Sequence, residues 1–201
     1  MNTYFEYGEK QIAYLKKKDK KLSMAIDRIG MIKRDIITEP FQALISSIIS
    51  QQISKKAAQT VWDRFQKLVQ EVTPENISNC SEDLIQKCGM TMKKVDYIKG
   101  IAHAATSGEV DFKNLYLFCD EEIIKKLSAL HGVGVWTAQM LLIFSLNRPN
   151  VLSYKDLAIC RGIMKLYGLK ALSKEQFEKY RKRYSPYCSI ASLYLWELSV
   201  D

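Results

Sequence analysis

Asp156 is the residue whose surroundings point most directly to chemistry. It lies in the segment VLSYKDLAICRG, ahead of a predicted helix. The apolar face of that helix is expected to consist of Leu157, Cys160, Met164 and Tyr167. A cap at Ser153 or Tyr154 would put Asp156 in the first turn, where the helix dipole favours an ionised carboxylate. Such an anion can stabilise positive charge developing on a substrate and position an attacking water molecule, although a simple helix cap is the alternative.

A second candidate site is the turn His131-Gly132-Val133-Gly134, which separates two apolar stretches between Ile123 and Leu146. The pattern predicts a tight helical hairpin, in which two glycines at alternate positions allow positive φ and close backbone approach. The amides of the turn would lie at the N-terminus of a helix that starts near Val135, and such a corner binds phosphate without reading base sequence. An ordinary glycine-capped connection between helices is the alternative.

The charge balance favours a polyanionic partner. The 201 residues include 30 Lys and Arg against 22 Asp and Glu, giving a formal net charge of +8 and a pI near 9.1. Nucleic acid is the leading candidate partner, although a basic protein with a solvated surface has the same balance.

The cysteines and the N-terminus argue against other classes of protein. Five scattered cysteines without a CxxC pair indicate reduced thiols and disfavour a zinc site or an iron–sulfur cluster. The first 21 residues are charged and have no apolar signal core, and no apolar run reaches the roughly 18 residues of a membrane span. We therefore expect a soluble cytoplasmic protein.

The elements that must hold these residues are predicted to be helices throughout. Apolar residues recur at helical spacing, and only four prolines and nine glycines occur. Helix starts are expected at Pro40, Ser54, Thr73 and Ser81. One N-terminal helix, carrying Leu15, Leu22, Ile26 and Ile29, is expected to pack on the C-terminal SIASLYLWEL helix. This packing predicts a single domain with lobe 1 from 1–40 plus 147–201 and lobe 2 from 41–146, the latter containing the hairpin at 123–146.

The two candidate sites together resemble a known family. LHGVGVWTA is similar to the LPGVGxxTA signature of the helix-hairpin-helix (HhH-GPD) DNA glycosylase superfamily, with His131 in place of the proline. Asp156 lies twenty residues beyond Trp136, at the position of that family's catalytic aspartate, and Tyr154 replaces the proline that usually precedes it. The resemblance implies an all-α, two-lobed fold and removal of damaged bases from double-stranded DNA in base excision repair, with Asp156 as the catalytic carboxylate.

The resemblance also implies a substrate class. Trp136 stands where the strand-cleaving branch of the family has its Schiff-base lysine, so water should attack the sugar and leave the strand intact. The tryptophan instead resembles the aromatic wall of the bacterial 3-methyladenine glycosylase II pocket, which stacks on a cationic alkylated base. A core tryptophan is the alternative. The expected base pocket comprises Trp136, Met140, Leu157 and Tyr187.

Further segments are similar to the family's DNA contacts. SSIISQQISKKAAQTVW resembles the family's GQQxSxKAA segment, and its two adjacent glutamines suit polar contacts to an opened duplex, although a capped polar surface is the alternative. CGMTMKKVDYIKGIA resembles a family loop whose apolar residue, here Met92, wedges into the base stack, although simple loop packing is the alternative. The expected DNA contacts are Gln51, Gln52, Met92, Lys93, Lys94, Gly132, Val133, Gly134, Thr137 and Lys155. A structural Na⁺ or K⁺ on the backbone carbonyls of Ser128, Leu130 and Val133 is implied, with no other cofactor. A nucleoid-associated monomer is expected.

Three other functions are compatible with the sequence. The first is a related glycosylase for deaminated, oxidised or mismatched bases, because the shape of the pocket decides the substrate. The second is a non-catalytic helix-hairpin-helix module that only holds DNA. The third is a helical protein-interaction domain, which would leave the glycine turn and the basic balance unexplained.

Overall fold

The structure is a computed structural model that describes residues 3–200, and within this range every regular element is helical. The all-α prediction is confirmed, with a single isolated bridge between Tyr4 and Asp35 as the only extended pairing in the described range. The α-helices are α1 (Glu9–Lys18), α2 (Lys20–Ile29), α3 (Pro40–Ser50), α4 (Lys55–Val69), α5 (Pro74–Asn79), α6 (Glu82–Lys87), α7 (Met92–Thr106), α8 (Asp120–Ser128), α9 (Val135–Phe144), α10 (Leu157–Tyr167), α11 (Lys174–Tyr184) and α12 (Cys188–Val200), and a 3-10 helix spans Phe112–Leu117.

The chain divides into two compact units, one formed by Met1–Ile36 with Leu142–Asp201 and the other by Ile37–Leu141. We refer to them as the terminal unit and the central unit. Among residues 3–200, no helix combines the length and the apolar character that a membrane crossing requires.

The central unit is assembled around α3, whose apolar face is buried as predicted. Its core-facing residues are Phe41, Leu44, Ile45, Ile48 and Ile49. This helix packs against α4 and α7. The Ser54 side chain caps α4 and the Thr73 side chain caps α5, each by accepting a backbone N–H hydrogen bond. The helix starts predicted at these two residues are therefore confirmed.

The terminal unit is held together mainly by the contact between α10 and α12. Gly162 of α10 lies so close to α12 that a Cβ atom there would come within 2.1 Å of the Leu195 carbonyl oxygen. Only a glycine permits this approach. Helix α12 also packs against α2, which confirms the predicted association of the two ends of the chain.

The predicted single N-terminal helix is wrong, because Asp19 interrupts it. Asp19 has extended φ and ψ, ends α1, and caps α2 by accepting the Leu22 N–H at 2.9 Å. Its buried carboxylate also accepts hydrogen bonds from the Tyr167 hydroxyl and from the Arg183 guanidinium, the latter at 2.6 Å. Burial alone would raise the pKa of Asp19, but these hydrogen bonds and the Arg183 charge lower it overall. The hydrogen bonds of Asp19 and its ion pair with Arg183 therefore stabilise the break between α1 and α2 more than helix propensity would stabilise one continuous helix.

Candidate nucleic-acid interface and active site

The hairpin turn lies between the end of α8 at Ser128 and the start of α9 at Val135. Its two glycines serve different purposes. Gly132 has φ +86°, and a Cβ there would meet the ring of Tyr97 at 2.3 Å. Gly134 is not among the positive-φ residues, and apart from the glycine and its two chain neighbours, no atom of the described residues lies within 4 Å of its ideal Cβ position. The expectation of positive φ therefore holds at Gly132 alone, while Gly134 leaves open space beside the first amides of α9.

Two neighbouring segments support this turn from within the central unit. The Gln51 side-chain amide donates a hydrogen bond to the Gly132 carbonyl at 3.2 Å, and the Tyr97 ring meets His131 edge-on at 4.6 Å. Gln51, predicted as a DNA contact, thus holds the hairpin in shape. Gln52 beside it is exposed and has φ +58°, so the backbone leaves the helical conformation there, just after the end of α3.

The predicted cation ligands lie where the turn begins. The Leu130 carbonyl accepts the Val133 N–H at 3.1 Å and keeps a second lone pair for another partner. The Ser128 hydroxyl donates back to the Ile124 carbonyl at 2.6 Å, which leaves the backbone carbonyl as this residue's candidate ligand. Carbonyl oxygens suit a monovalent ion, and the cation site stays a prediction.

The lysine pair that follows Met92 is divided between two roles. Lys93 is exposed, with its ammonium 5.9 Å from the centre of the Tyr97 ring. The Lys94 ammonium instead donates hydrogen bonds to the Ile49 and Gln51 carbonyls, each at 2.7 Å, and burial lowers its pKa. The Lys94 ammonium therefore neutralises the partial negative charge of the free carbonyl groups at the C-terminal end of α3. This role explains the position of the side chain better than a phosphate contact does.

Met92 is the first residue of α7, not a loop residue as the sequence suggested. The Thr91 side chain caps this helix, and the Met92 side chain is 37% exposed. An apolar side chain at an exposed helix start remains compatible with the predicted wedge between bases.

Helix α9 carries three of the predicted contacts. Trp136 lies in its first turn and is 39% exposed, which disfavours the alternative that it fills the core. Thr137 and Met140 are buried, and so is Val133 in the turn. Their side chains thus support the helix, and any contact of Thr137 or Val133 with DNA would use the backbone.

In the terminal unit, Asp156 is the N-cap of α10 rather than a residue of its first turn. Its Oδ1 accepts the Ala158 and Ile159 N–H groups at 2.9 and 3.0 Å. Its Oδ2 accepts the indole N–H of Trp196 at 3.2 Å, and only 6% of the residue is exposed. Three donors from two elements therefore fix the orientation of this carboxylate.

Trp196 is a site residue that the sequence did not reveal. It lies in α12, forty positions beyond Asp156, and nothing in its local pattern distinguishes it from a core residue. Its ring packs against Phe144 at 5.4 Å, and the Arg34 guanidinium lies 5.5 Å from the centre of the Phe144 ring. This stack holds the indole in place behind the carboxylate.

The predicted apolar face of α10 is wrong in its phase. Leu157 is 70% exposed, whereas Ile159, Gly162 and Ile163 are buried, and Gly162 faces α12. Because Gly162 must face α12 for the two backbones to approach, the helix is rotated relative to the sequence expectation. Leu157 consequently lies at the surface beside Asp156, where a pocket role stays a prediction.

The remaining predicted residues of the terminal unit lie on its loops. Lys155 is exposed next to Asp156. Tyr154 packs edge-on against Phe177 at 5.1 Å. Tyr187 packs edge-on against Tyr14, also at 5.1 Å, and is partly buried. The contact with Tyr14 does not test the assignment of Tyr187 to a base pocket, and that assignment stays a prediction.

The chain is similar to a known family and to individual members of it. The model of the HhH-GPD superfamily of base excision DNA repair proteins matches residues 45–186. DNA-3-methyladenine glycosylase 1 of Schizosaccharomyces pombe is 36% identical over 166 residues, which cover 80% of this chain and 73% of that protein. The alkylbase DNA glycosidase-like protein mag2 of the same yeast is 27% identical, covering 96% of this chain and 93% of the relative.

Solved structures give the same assignment. DNA-3-methyladenine glycosidase from Bacillus halodurans superposes with a TM-score of 0.86 at 33% identity, covering 99% of this chain and 93% of that one. The Schizosaccharomyces pombe 3-methyladenine DNA glycosylase, solved in complex with abasic DNA, gives a TM-score of 0.83 at 31% identity, covering 94% and 96%. The matched signature, the helical fold and these likenesses together show that the chain belongs to the HhH-GPD superfamily of base excision DNA repair proteins.

Proposed function

We propose that this protein is a monofunctional DNA glycosylase that hydrolyses the N-glycosidic bond of 3-methyladenine and related alkylated purines in double-stranded DNA. The observation that carries the proposal is the Asp156 carboxylate, buried at a helix N-terminus and held by two backbone amides and the Trp196 indole. A capping aspartate needs only the backbone amides, so the third donor and the family position both favour a chemical role.

The chemistry follows from the charge and orientation of this carboxylate. Departure of the base leaves an oxocarbenium-like sugar, and a fixed anion beside it stabilises the developing positive charge. Because its orientation is already set by three N–H donors, little reorganisation is needed when that charge appears. The carboxylate also orients the water that attacks the sugar carbon.

Trp136 supports both the water-dependent route and the alkylated substrate. A tryptophan has no amine to form a Schiff base, so the strand should stay intact after base release. Its partly exposed ring offers an electron-rich face that attracts a positively charged base. Met140, Leu157 and Tyr187 stay proposed contacts of the base.

DNA is proposed to be held chiefly by the hairpin. Gly134 leaves space for a phosphate beside the first N–H groups of α9, and the helix dipole adds to the attraction. Met92, Lys93, Gln52 and Lys155 would contribute side-chain contacts. A Na⁺ or K⁺ on the turn carbonyls would strengthen the same corner, and the protein is proposed to act as a monomer in the nucleoid.

The decisive experiment uses DNA treated with dimethyl sulfate. The purified protein should release 3-methyladenine, detected by chromatography, and should leave strands uncut until alkali is added. Tight binding to abasic-site DNA without any base release would instead indicate a non-catalytic module, and release from deaminated or oxidised DNA alone would indicate another lesion class.

Trp136→Ala separates the substrate assignment from DNA binding. Loss of the stacking face should lower the rate of 3-methyladenine release about tenfold or more, since a desolvated cation–π contact contributes about 2 kcal/mol. Affinity for abasic-site DNA, which has no base to stack, should change little. An equal loss in both measurements would contradict the stacking role.

A further inference from the structure

The terminal unit has a surface groove that the proposed reaction does not use. It is bordered by α2, α10 and α12 and encloses about 530 Å³. Its apolar lining consists of Met24, Ala25, Leu166 and Leu198. Met24 is 74% exposed on α2, on the side opposite the buried Leu22. A flexible, polarisable side chain so exposed is typical of surfaces that adapt to a partner.

The polar lining of this groove is entirely cationic. It consists of Lys21, Arg28 and Lys165, and no described lining residue is acidic. Lys21 donates a hydrogen bond to the Tyr167 carbonyl at 3.5 Å, and Lys165 donates to the Ser199 carbonyl at 3.1 Å. Each contact uses one of the three donors of an ammonium group, so both side chains are held at the rim with donors left for a ligand.

The distribution of charge along the chain reinforces this local pattern. The segments of the terminal unit carry 19 of the 30 Lys and Arg but only 10 of the 22 Asp and Glu. The excess positive charge of the protein therefore belongs to the terminal unit, whereas the unit that contains the hairpin is close to neutral. An acidic partner would be drawn to the terminal unit by long-range attraction.

The groove is also separated from the catalytic carboxylate. Asp156 caps the N-terminus of α10, and Lys165 follows nine residues later, about 14 Å along the helix axis. A ligand in the groove would therefore not cover Asp156.

We propose that this groove docks an acidic amphipathic peptide segment of a partner protein. One or two large apolar side chains of the peptide would lie on the floor beside Met24 and Leu198, and its carboxylates would pair with Lys21 and Lys165. DNA fits less well, because a phosphate backbone gains nothing from covering an apolar floor. The inference goes beyond base release and does not depend on it.

The test measures peptide binding by fluorescence anisotropy in the absence of DNA. The probe is a labelled helical peptide of about twelve residues, rich in Glu, with Phe and Leu four positions apart on one face. A second peptide has the same charges but carries Ala at both anchor positions. Saturable binding of the first peptide, at least about tenfold tighter than that of the second, is expected.

Matched variants locate the binding. The double variant Lys21→Glu, Lys165→Glu should weaken the anchored peptide about tenfold or more, while Lys17→Glu, Lys179→Glu, with the same change in charge at exposed positions outside the groove, should change it less than about twofold. Met24→Gln should weaken the anchored peptide and leave the Ala peptide unchanged. An unchanged circular dichroism spectrum and an unchanged thermal unfolding transition of all three variants serve as the check on folding.

Several outcomes would overturn the proposal. These are the lack of saturation up to about 1 mM peptide, an equal loss in the two double variants, or equal binding of the two peptides. If the groove variant instead weakened a short DNA duplex more than the peptide, the groove would be a nucleic-acid surface. Because no DNA is present in the peptide assay, its result stands whether or not the protein proves to be a glycosylase.

Discussion

Replacing Asp156 with asparagine should abolish most base release while leaving the fold intact. Asparagine is as good an N-cap as aspartate, and its side-chain oxygen can still accept the Ala158 and Ile159 N–H groups. The amide group has no net charge, however. A full negative charge about 4 Å from the sugar carbon is worth about 4 kcal/mol at an effective dielectric constant near 20, which corresponds to about a thousandfold in rate.

The same substitution carries a predictable cost in stability. With Oδ1 kept on the backbone amides, the new side-chain NH₂ group would face the Trp196 indole N–H, two donors without an acceptor. A buried unsatisfied donor costs about 1–3 kcal/mol. For a chain of this length, that cost lowers Tm by about 3–10 °C. The variant should therefore unfold earlier in a thermal scan but remain fully folded at 25 °C.

The assay is single-turnover release of 3-methyladenine, with binding to abasic-site DNA measured in parallel. Asp111→Asn is the matched control, because Asp111 also caps a helix, accepting the Lys113 and Asn114 N–H groups, and lies in the other unit. That variant should keep its activity. A rate for Asp156→Asn within tenfold of the unmodified protein, at normal abasic-site affinity, would refute the role assigned to the carboxylate.

Three further substitutions test individual contacts. Trp196→Phe keeps an aromatic ring but removes the indole N–H donor, so the rate of base release should fall about tenfold with little change in KM; an unchanged rate would show that the carboxylate needs no such support. Gly132→Ala should lower Tm, because of its positive φ and the nearby ring, whereas Gly134→Ala should keep Tm and weaken binding to abasic-site DNA; the opposite pattern would reverse the roles of the two glycines. The lowered pKa of Asp19 means that its carboxylate stabilises the fold above about pH 4 and that this contribution is lost as pH falls through the folded-state value. Asp19→Asn should thus lower Tm at pH 7 and make Tm vary less as the pH falls below about 4. An equal decrease of Tm with falling pH in the two proteins would contradict the role of the Asp19 network.

The local features of this protein could be predicted from the sequence. The helical class, the caps at Ser54 and Thr73, and the hairpin at Gly132 each depend on residues a few positions apart. Hydrogen bonding within one turn of backbone, and the conformational freedom of glycine, are properties of short segments. The candidate role of Asp156 follows from the resemblance of its segment to the family's motif, which is again a property of the linear chain.

Only the tertiary structure decided which partners these residues have. Trp196 meets Asp156 across forty positions, and Lys94 reaches carbonyls at the end of a helix more than forty positions earlier. The break at Asp19 depends on Arg183, from the other end of the chain. Contacts of this kind arise when packed helices bring distant side chains together, and they outweigh local propensity because a buried charge must find its partners wherever the fold places them.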